Sequence, residues 1–583
     1  MTAPSLVIVG GGLAGLMAAV RAAEENFRVD VLSLVPVRRS HSVCAQGGIN
    51  AAVNTKGEGD SPWKHFDDTI YGGDFLANQT PVKRMCEAAP GIVNLFDRLG
   101  VMFNRTPEGL LDFRRFGGTK HHRTAYAGAT TGQQLLYALD EQVRRYEAAG
   151  IVRKHEGWEF LSAVLDDGGR CCGAAAVDLR TGAVRAFPAG AVILATGGPG
   201  VVFGRSTNSV INTGAAAAAV YRQGAAYANG EFIQVHPTAI PGEDKLRLMS
   251  ESARGEGGRI WVPRDGKPWY FLEEKYPAYG NLVPRDIATR EIFDVCVRQG
   301  LGVDGRAQVY LDVSHLPAAE LEVKLGGILD IYRKFTGEDP TRVPMRVFPA
   351  VHYSMGGLWV DVDQMTTLPG LFAAGECEYQ YHGANRLGAN SLLSCIYGGQ
   401  VASRSAAAWI EGHRAGAASS ALAAEVRRQT EVFDEIRRMD GRENPYRLHQ
   451  ELGDLMTKNV TVVRHNDRLD RALGAIEELR ERWSRIALAD RRVEGNPSPG
   501  FARQLSLMID LARVIALGAR LRDESRGAHY KPAFPARDDA RFLKTTVAHW
   551  GQGGPTITYE DVDTQFLAPR ARVYDLDEEE GAS

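Results

Sequence analysis

"SLVIVGGGLAGLMAAVRAAEENFRVDVLSL", Ser5 to Leu34, reads as an apolar strand, a glycine turn, an alanine-rich helix and a second strand. Gly10, Gly12 and Gly15 stand in GxGxxG spacing. Glycines there permit a tight turn and let a pyrophosphate approach the helix N-terminus, where free amides and the helix dipole favour anions. Alone, the pattern also fits a glycine-rich turn that binds nothing. The acid expected about twenty residues on, which would hold an adenosine ribose, is missing: Ser33 takes its place, and Asp30 falls inside the strand.

Two later runs extend the βαβ reading. "AVILATGGPG" (Ala191 to Gly200) is a strand ending in Ala195, Thr196 and Gly197, and "LPGLFAAGECEYQYHGANRLGANSLL" (Leu368 to Leu393) ends a strand in Ala-Gly-Glu before a glycine-rich turn enters a helix. Buried strands that stop at small residues bring backbone close to a flat or phosphorylated ligand. Three such elements, far apart in sequence, predict one discontinuous Rossmann-like domain around one large cofactor, residues 1–242 and 345–401. The Trp-, Tyr-, Pro- and charge-rich insertion between them predicts a capping domain, 243–344. Apolar residues at three and four spacing in "LDRALGAIEELRERWSRIALAD" predict a helical domain, 402–525. Short-strand material and an acidic tail make a small C-terminal domain, 526–583, in a chain of α/β class.

A chain of 583 residues, 44% hydrophobic and 24% charged, is too long for one core. The net charge of -3 has both signs mixed throughout, which points to no nucleic acid and no membrane surface as a partner. The uncharged start, "MTAPSLVIVGGGLAGLMAAV", lacks a basic n-region and is broken by glycines, so it is predicted to be neither signal peptide nor span. The seven cysteines, at 44, 86, 171, 172, 296, 377 and 395, form no CxxC or ferredoxin-like series, and the chain is expected to carry no iron-sulphur cluster or structural zinc.

"RSHSVCAQGG", "EFIQVHPTA", "SESARGEGG", "LVPRDIATRE", "VHYSMGGL" and "HGANRLGANSLL", in this order and spacing, resemble the flavoprotein subunit of succinate dehydrogenase and fumarate reductase. The likeness runs on to "DESRGAHYKPAFPARDDARFLKTT", so it covers nearly the whole chain. "GEGDSPWKHFDDTIYGGDFLANQ" looks most like the menaquinone-linked branch, whose membrane anchor is a single di-haem cytochrome b. The resemblance implies a Rossmann-like FAD domain and FAD bound covalently through His41. From residue type alone a hydrogen-bonding histidine is the commoner role, and the motif match reverses that. Such a bond is implied to raise the flavin potential enough for succinate to serve as hydride donor.

By the same resemblance, Ser40, Ser42, Ala45, Gln46, Gly47, Gly48, Asn390, Ser391 and Leu392 join the glycine turn, Ser33 and Ala195 to Gly197 in holding FAD. Glu376 in "AAGE" is a candidate for the adenosine ribose hydroxyls, compensating for Ser33. Ala215 stands where the family places an Asp against the cofactor, and it is given no role.

Succinate and fumarate need cations and donors at both ends. His236, His352 and Arg386 match family residues that bind a carboxylate, and a guanidinium can do so bidentately. Ser250 and Glu251 stand where the family usually has Thr-Glu. Glu251 and Arg254, three apart, would meet on one helical turn; singly they read as a surface ion pair of little consequence. By resemblance they relay protons to Arg285, the family's general acid or base. A pocket already holding Arg386, Arg254 and two histidines disfavours a further positive charge.

The implied partners are an iron-sulphur subunit, the di-haem cytochrome b anchor and small dicarboxylates, with quinone met only indirectly, at the cytoplasmic face of the cell membrane. Two alternatives stand beside this one. A free-standing flavoenzyme such as L-aspartate oxidase or a soluble fumarate reductase is disfavoured by His41. An FAD-binding subunit with a dead site is disfavoured by the retained His236, Glu251, Arg285, His352 and Arg386.

Overall fold

The structure, a computed structural model, describes residues 5–243, 245–413 and 419–574. Its organising element is a five-stranded parallel sheet with the strand Ser5–Val9 at the centre. Arg28–Ser33 pairs with it on one side and Ala191–Leu194 on the other, Leu6 facing Ala191 and Val29. Val152–Glu156 and Leu371–Ala373 form the edges. Val7, Ile8, Val31, Val192 and Ile193 are wholly buried, as expected where a parallel sheet is covered on both faces and its strands read as unbroken apolar runs.

The alanine-rich helix Leu13–Glu24 lies across this sheet against the long helix Asn390–Gly412. Small residues set their separation: a Cβ on Gly399 would stand 2.4 Å from the Ala14 carbonyl oxygen. The turn before the first helix is as tight. Gly10 has φ +117°, and a Cβ on Gly15 would stand 1.9 Å from the Gly10 oxygen. Gly15 therefore packs helix against strand.

A second sheet of six strands crosses the domain limits expected at 242/243 and 344/345. Ile233–Ile240 and Met345–Ser354 pair with each other, and Val309–Asp312 and Arg259–Arg264 continue the sheet into the insertion. Long strands that leave the cofactor-binding body as the first strands of the cap give the two units shared backbone. The cap core gathers Ile240, Met249, Ile260, Leu311, Leu325 and Val347. Tyr574, from the far end of the chain, is buried in it.

Four helices follow, Ser419–Arg438, Pro445–Asn459, Asn466–Trp483 and the largely buried Ser498–Leu521. The C-terminal strand Lys544–His549 is stitched antiparallel to Tyr227–Ala228. A buried ion network fastens this join. Arg522 donates to Glu231 (2.8 Å) and Glu524 (2.9 Å), and Arg526 donates to Glu524 (2.8 Å). Removing one member of such a network leaves an uncompensated buried charge.

Gly15→Ala should force the backbone of the glycine turn apart and destabilise the protein by about 1–3 kcal/mol, read as a lowered midpoint of thermal unfolding.

Candidate functional site

The C-terminal ends of the parallel strands open onto a cavity of about 440 Å³. Gly10 to Gly12 form its floor, since a Cβ on Gly10 would stand 2.1 Å from the Ala195 oxygen. The helix beginning at Leu13 has no side-chain cap from Gly12, and Ser42 Oγ accepts the Leu13 N–H at 3.2 Å. Its remaining first-turn amides suit an anion. Ser33 lines the wall, its hydroxyl donating to the Val35 carbonyl (2.6 Å). Ala45, Gln46, Gly47, Gly48, Ala195, Thr196, Gly197, Ser391 and Leu392 also line the cavity. Ser40 Oγ and Gln46 Oε1 are buried there without a protein partner, which fits a ligand carrying its own donors and acceptors.

His41 begins a 3₁₀ turn, His41–Cys44, and faces the cavity. Its Nδ1 accepts the Ser209 N–H (3.2 Å), and Asn208 Nδ2 lies at the limit of bonding from Nε2 (3.5 Å). Burial, and then Lys245, lower its pKa to about 4. The ring is thus neutral near pH 7, with Nε2 the less engaged nitrogen.

Farther along the cavity, neighbouring strands carry His236 and His352, their ring centroids 5.1 Å apart. His352 Nδ1 contacts Thr207 Oγ1 at 2.7 Å. Burial first, then Arg285 for His236 and His236 for His352, hold both rings well below the usual histidine range. Arg386 is buried over the Tyr353 ring, 4.4 Å from its centroid. Burial, and then Arg285, push its pKa down to about 9, and its Nε has no partner.

Arg285 is the first residue of the helix Arg285–Phe293. Its Nε and Nη2 donate to Glu251 Oε2 (2.9 and 2.6 Å) and its Nη1 to Gln234 Oε1 (2.9 Å). The other Glu251 oxygen accepts from Gly117 N (3.0 Å) and Arg254 Nη2 (3.2 Å). Burial pushes the Glu251 pKa up, but Arg285 and Arg254 outweigh it and hold the carboxyl below its usual range. Ser250 Oγ lies 2.9 Å from Ser252 Oγ at the same wall. Three guanidiniums, Arg254, Arg285 and Arg386, thus surround one firmly ionised carboxylate, an excess of two positive charges that suits a dianion.

Several expectations are corrected by this geometry. Asn390 does not face the cavity: it is fully buried, its Oδ1 accepting from Asn50 Nδ2 (2.8 Å) and lying 2.9 Å from His65 Nε2, while its Nδ2 donates to Thr69 Oγ1 (2.9 Å). Gly15 packs under the loop and lies outside the lining. Arg254 sits behind Glu251, bonded also to the Asn281 carbonyl (2.6 Å), and does not itself line the cavity. Glu251 and Arg254 do meet three residues apart, and the pair is buried, which removes the alternative of a surface bridge. Glu376 does line the cavity, accepting from Ser354 N at 3.0 Å, with burial raising its pKa to about 7. It follows the edge strand Leu371–Ala373, three strands from Ser33, about 14 Å across the sheet, so the two cannot share one ribose.

Sequence reasoning missed Gln234, Thr207, Asn208 and Arg114. Gln234 was in view two residues before His236, and nothing in "QVH" says that its amide turns to Arg285. Arg114, which donates to the Gly47 carbonyl (2.5 Å), comes from a stretch with no motif. The wall near Ser33 also includes Trp158, Glu159 and Gln504, the last from the helix Ser498–Leu521.

Residues 5–392 match the family model of an FAD binding domain, and residues 449–574 match that of the fumarate reductase flavoprotein C-terminus. The chain is 66% identical, over 579 residues, to the succinate dehydrogenase flavoprotein subunit of Bacillus subtilis, covering 98% of this chain and 99% of the relative. It is 35% identical over 586 residues to a fumarate reductase flavoprotein subunit of a Serratia species, covering 98% and 96%. Among solved structures, it superposes on a variant of the Escherichia coli quinol fumarate reductase FrdA chain with a TM-score of 0.93 at 31% identity, covering 99% and 100%.

His65, His236, His382 and His529 are all buried with pKa values lowered by burial, His65 to about 3. Unfolded histidines take up protons near pH 6.5, whereas these do not while folded. Stability should therefore be full above about pH 6.5 and fall as the pH drops below it, the unfolded state binding up to four more protons through these groups. Thermal unfolding from pH 7 to pH 5 checks the sign.

Proposed function

The chain belongs to the family of flavoprotein subunits of succinate dehydrogenase and fumarate reductase and is an FAD-dependent oxidoreductase, and on that footing we propose which of its residues carry the reaction. The observation that supports the assignment best is Arg386, a buried guanidinium paired with no carboxylate among the described residues, in one cavity with Arg285. A dicarboxylate supplies the missing charge. Arg386, His236, His352 and Ser250 bind its carboxylates; the neutral histidines donate hydrogen bonds without adding to the charge excess.

Held by this cavity, FAD would supply the hydride acceptor for one methylene of succinate and, in the reverse direction, the hydride donor for fumarate. Arg285 exchanges the proton of the neighbouring carbon. Glu251, which accepts two hydrogen bonds from Arg285, takes that proton on, and Arg254 behind it steadies the carboxylate charge. The cap contributes Arg285, Glu251 and Ser250, so its seating over the cofactor-binding body both completes the site and excludes water.

His41 is the residue through which FAD is covalently held. Support comes from its place on the cavity wall, its neutral ring and an Nδ1 occupied by Ser209, which leaves Nε2 for the bond. Electrons leave to a partner iron-sulphur subunit, and a membrane-anchor subunit holds the assembly to the membrane. Among the described residues no helix is long and apolar enough to cross a membrane, and the chain sits peripherally at the cytoplasmic face. The "GEGDSPWKHFDDTIYGGDFLANQ" stretch, which resembles the menaquinone-linked branch, favours a di-haem cytochrome b as that anchor.

On a denaturing gel after acid treatment, the band should fluoresce under ultraviolet light, and His41→Ala should abolish the fluorescence; flavin leaving the wild-type band would refute the covalent assignment. Arg285→Lys should lower dye reduction by succinate about 10²–10⁴-fold without releasing FAD. An active Arg285→Lys enzyme would overturn its role in proton transfer. Purification from native membranes should bring down iron-sulphur and haem-bearing subunits together with this chain.

A further inference from the structure

The last described stretch, 563–574, has no regular structure, yet it is held along its length. At its start, Asp563 Oδ2 accepts from Thr80 N (2.9 Å) and Thr80 Oγ1 (2.6 Å), and Gln79 Oε1 accepts the amides of Phe566 and Leu567 (2.8 Å each). Arg570 pairs with Asp67 at 2.7 Å. At its end, Val573 N donates to the Tyr71 hydroxyl (2.6 Å), and the buried Tyr574 ring packs 5.1 Å from Tyr279 inside the cap. The segment begins on the cofactor-binding body and finishes in the cap core.

Arg572 occupies the crossing. Its guanidinium grips Asp286 with both terminal nitrogens, Nη1 to Oδ2 at 3.0 Å and Nη2 to Oδ1 at 3.2 Å. The same Nη1 reaches Asp74 Oδ2 of the body at 3.4 Å. The Asp286 side chain is 1% exposed and the Arg572 side chain 9%. Asp286 is the residue after Arg285, in the first turn of the helix Arg285–Phe293. Asp74 has φ +54°, a left-handed conformation uncommon for a non-glycine residue. Its carboxylate also accepts from Gly527 N (2.8 Å) and Arg537 Nη1 (2.8 Å). Asp74 is therefore fixed from several sides, and Arg572 ties the start of the Arg285 helix to that fixed point.

We infer that Arg572 is a positioning residue for Arg285: through Asp286 it sets where the first turn of the helix sits above the substrate cavity. A two-pronged guanidinium–carboxylate contact fixes orientation as well as distance, and small misplacements of a reacting group are costly in rate. The dicarboxylate clamp depends on it less: His352 stands on the strand Met345–Ser354 and Arg386 in the loop before the helix Asn390–Gly412, and the Arg285 helix touches the His236 strand farther along, through Thr289 Oγ1 to the Val235 carbonyl (2.8 Å). The inference rests on the assignment of Arg285 to proton transfer.

The test uses the complex purified from membranes, with rates expressed per covalently bound flavin. Arg572→Gln should lower kcat for succinate about tenfold, leave the inhibition constant of malonate, a non-reacting dicarboxylate, within about twofold, and raise the isotope effect with perdeuterated succinate. A purely structural role would reduce flavin content or thermal stability and leave these per-flavin quantities unchanged. Unchanged kcat per flavin, or equal losses in kcat and malonate binding, overturn the inference. Arg572→Lys, which keeps the charge but grips with one prong, should give an intermediate kcat; wild-type kcat in this variant, or failure of both variants to fold, overturns it too. Arg285→Lys serves as the control. If Arg285→Lys stays active, the proton-transfer assignment falls, whereas an inactive Arg285→Lys beside a wild-type-like Arg572→Gln removes only the role of Arg572.

Discussion

Glu251 is a carboxylate with no access to water, kept ionised by Arg285 on one side and Arg254 on the other. An isolated buried carboxylate would neutralise itself, so this triad survives only while both guanidiniums stay in place. The rest of the site follows from that constraint. Arg285 must reach Glu251 from the start of its helix, Gln234 must take the remaining guanidinium nitrogen, and Gly117 must be a glycine. A Cβ on Gly117 would stand 2.3 Å from Glu251 Oε1. The loop around Gly117 belongs to the cofactor-binding body, so the triad also ties cap to body across the substrate cavity.

The charge balance of the triad reaches further. Arg386 lies nearby without a carboxylate paired to it, so that with Arg285 and Arg254 three guanidiniums stand against the one carboxylate of the triad. The histidines do not add to this, because burial and the neighbouring cations keep them neutral. A cavity of this kind favours a dianion and disfavours a cation of any shape. Long strands shared between body and cap bring His236 and His352 within ring contact, and the same strands carry the cap that supplies Arg285. The histidine pair and Arg285 thus meet at one strand, since Arg285 donates to Gln234, two residues before His236.

The cofactor end was legible because its physics is local. A strand, a glycine turn and a helix follow each other within thirty residues of "SLVIVGGGLAGLMAAVRAAEENFRVDVLSL", and turn geometry selects glycine wherever it occurs. The substrate end was legible only by resemblance. His236, Arg285, His352 and Arg386 are spread over some 150 residues, and spacing alone gives no reason to group them. Asn390 shows the limit of motif reasoning. It belongs to the same "GANS" run as Ser391, yet the start of the helix turns its side chain inward to His65, Thr69 and Asn50. Glu376 shows another limit, since two residues expected at one cofactor can lie three strands apart in the sheet.

By itself the sequence determined the class of fold, the discontinuous cofactor-binding domain with its inserted cap, and the residue types available for a dicarboxylate and a flavin, because periodicity, glycine spacing and ordered motifs are properties of the chain. The tertiary structure alone decided which arginine lines the cavity and which stands behind a carboxylate, where the boundary between body and cap is bridged, and that Arg572 reaches the residue beside Arg285. Those outcomes depend on burial and on contacts between residues hundreds of positions apart. Charge pairing in a medium with little water is set by distance in space, which a one-dimensional pattern does not contain.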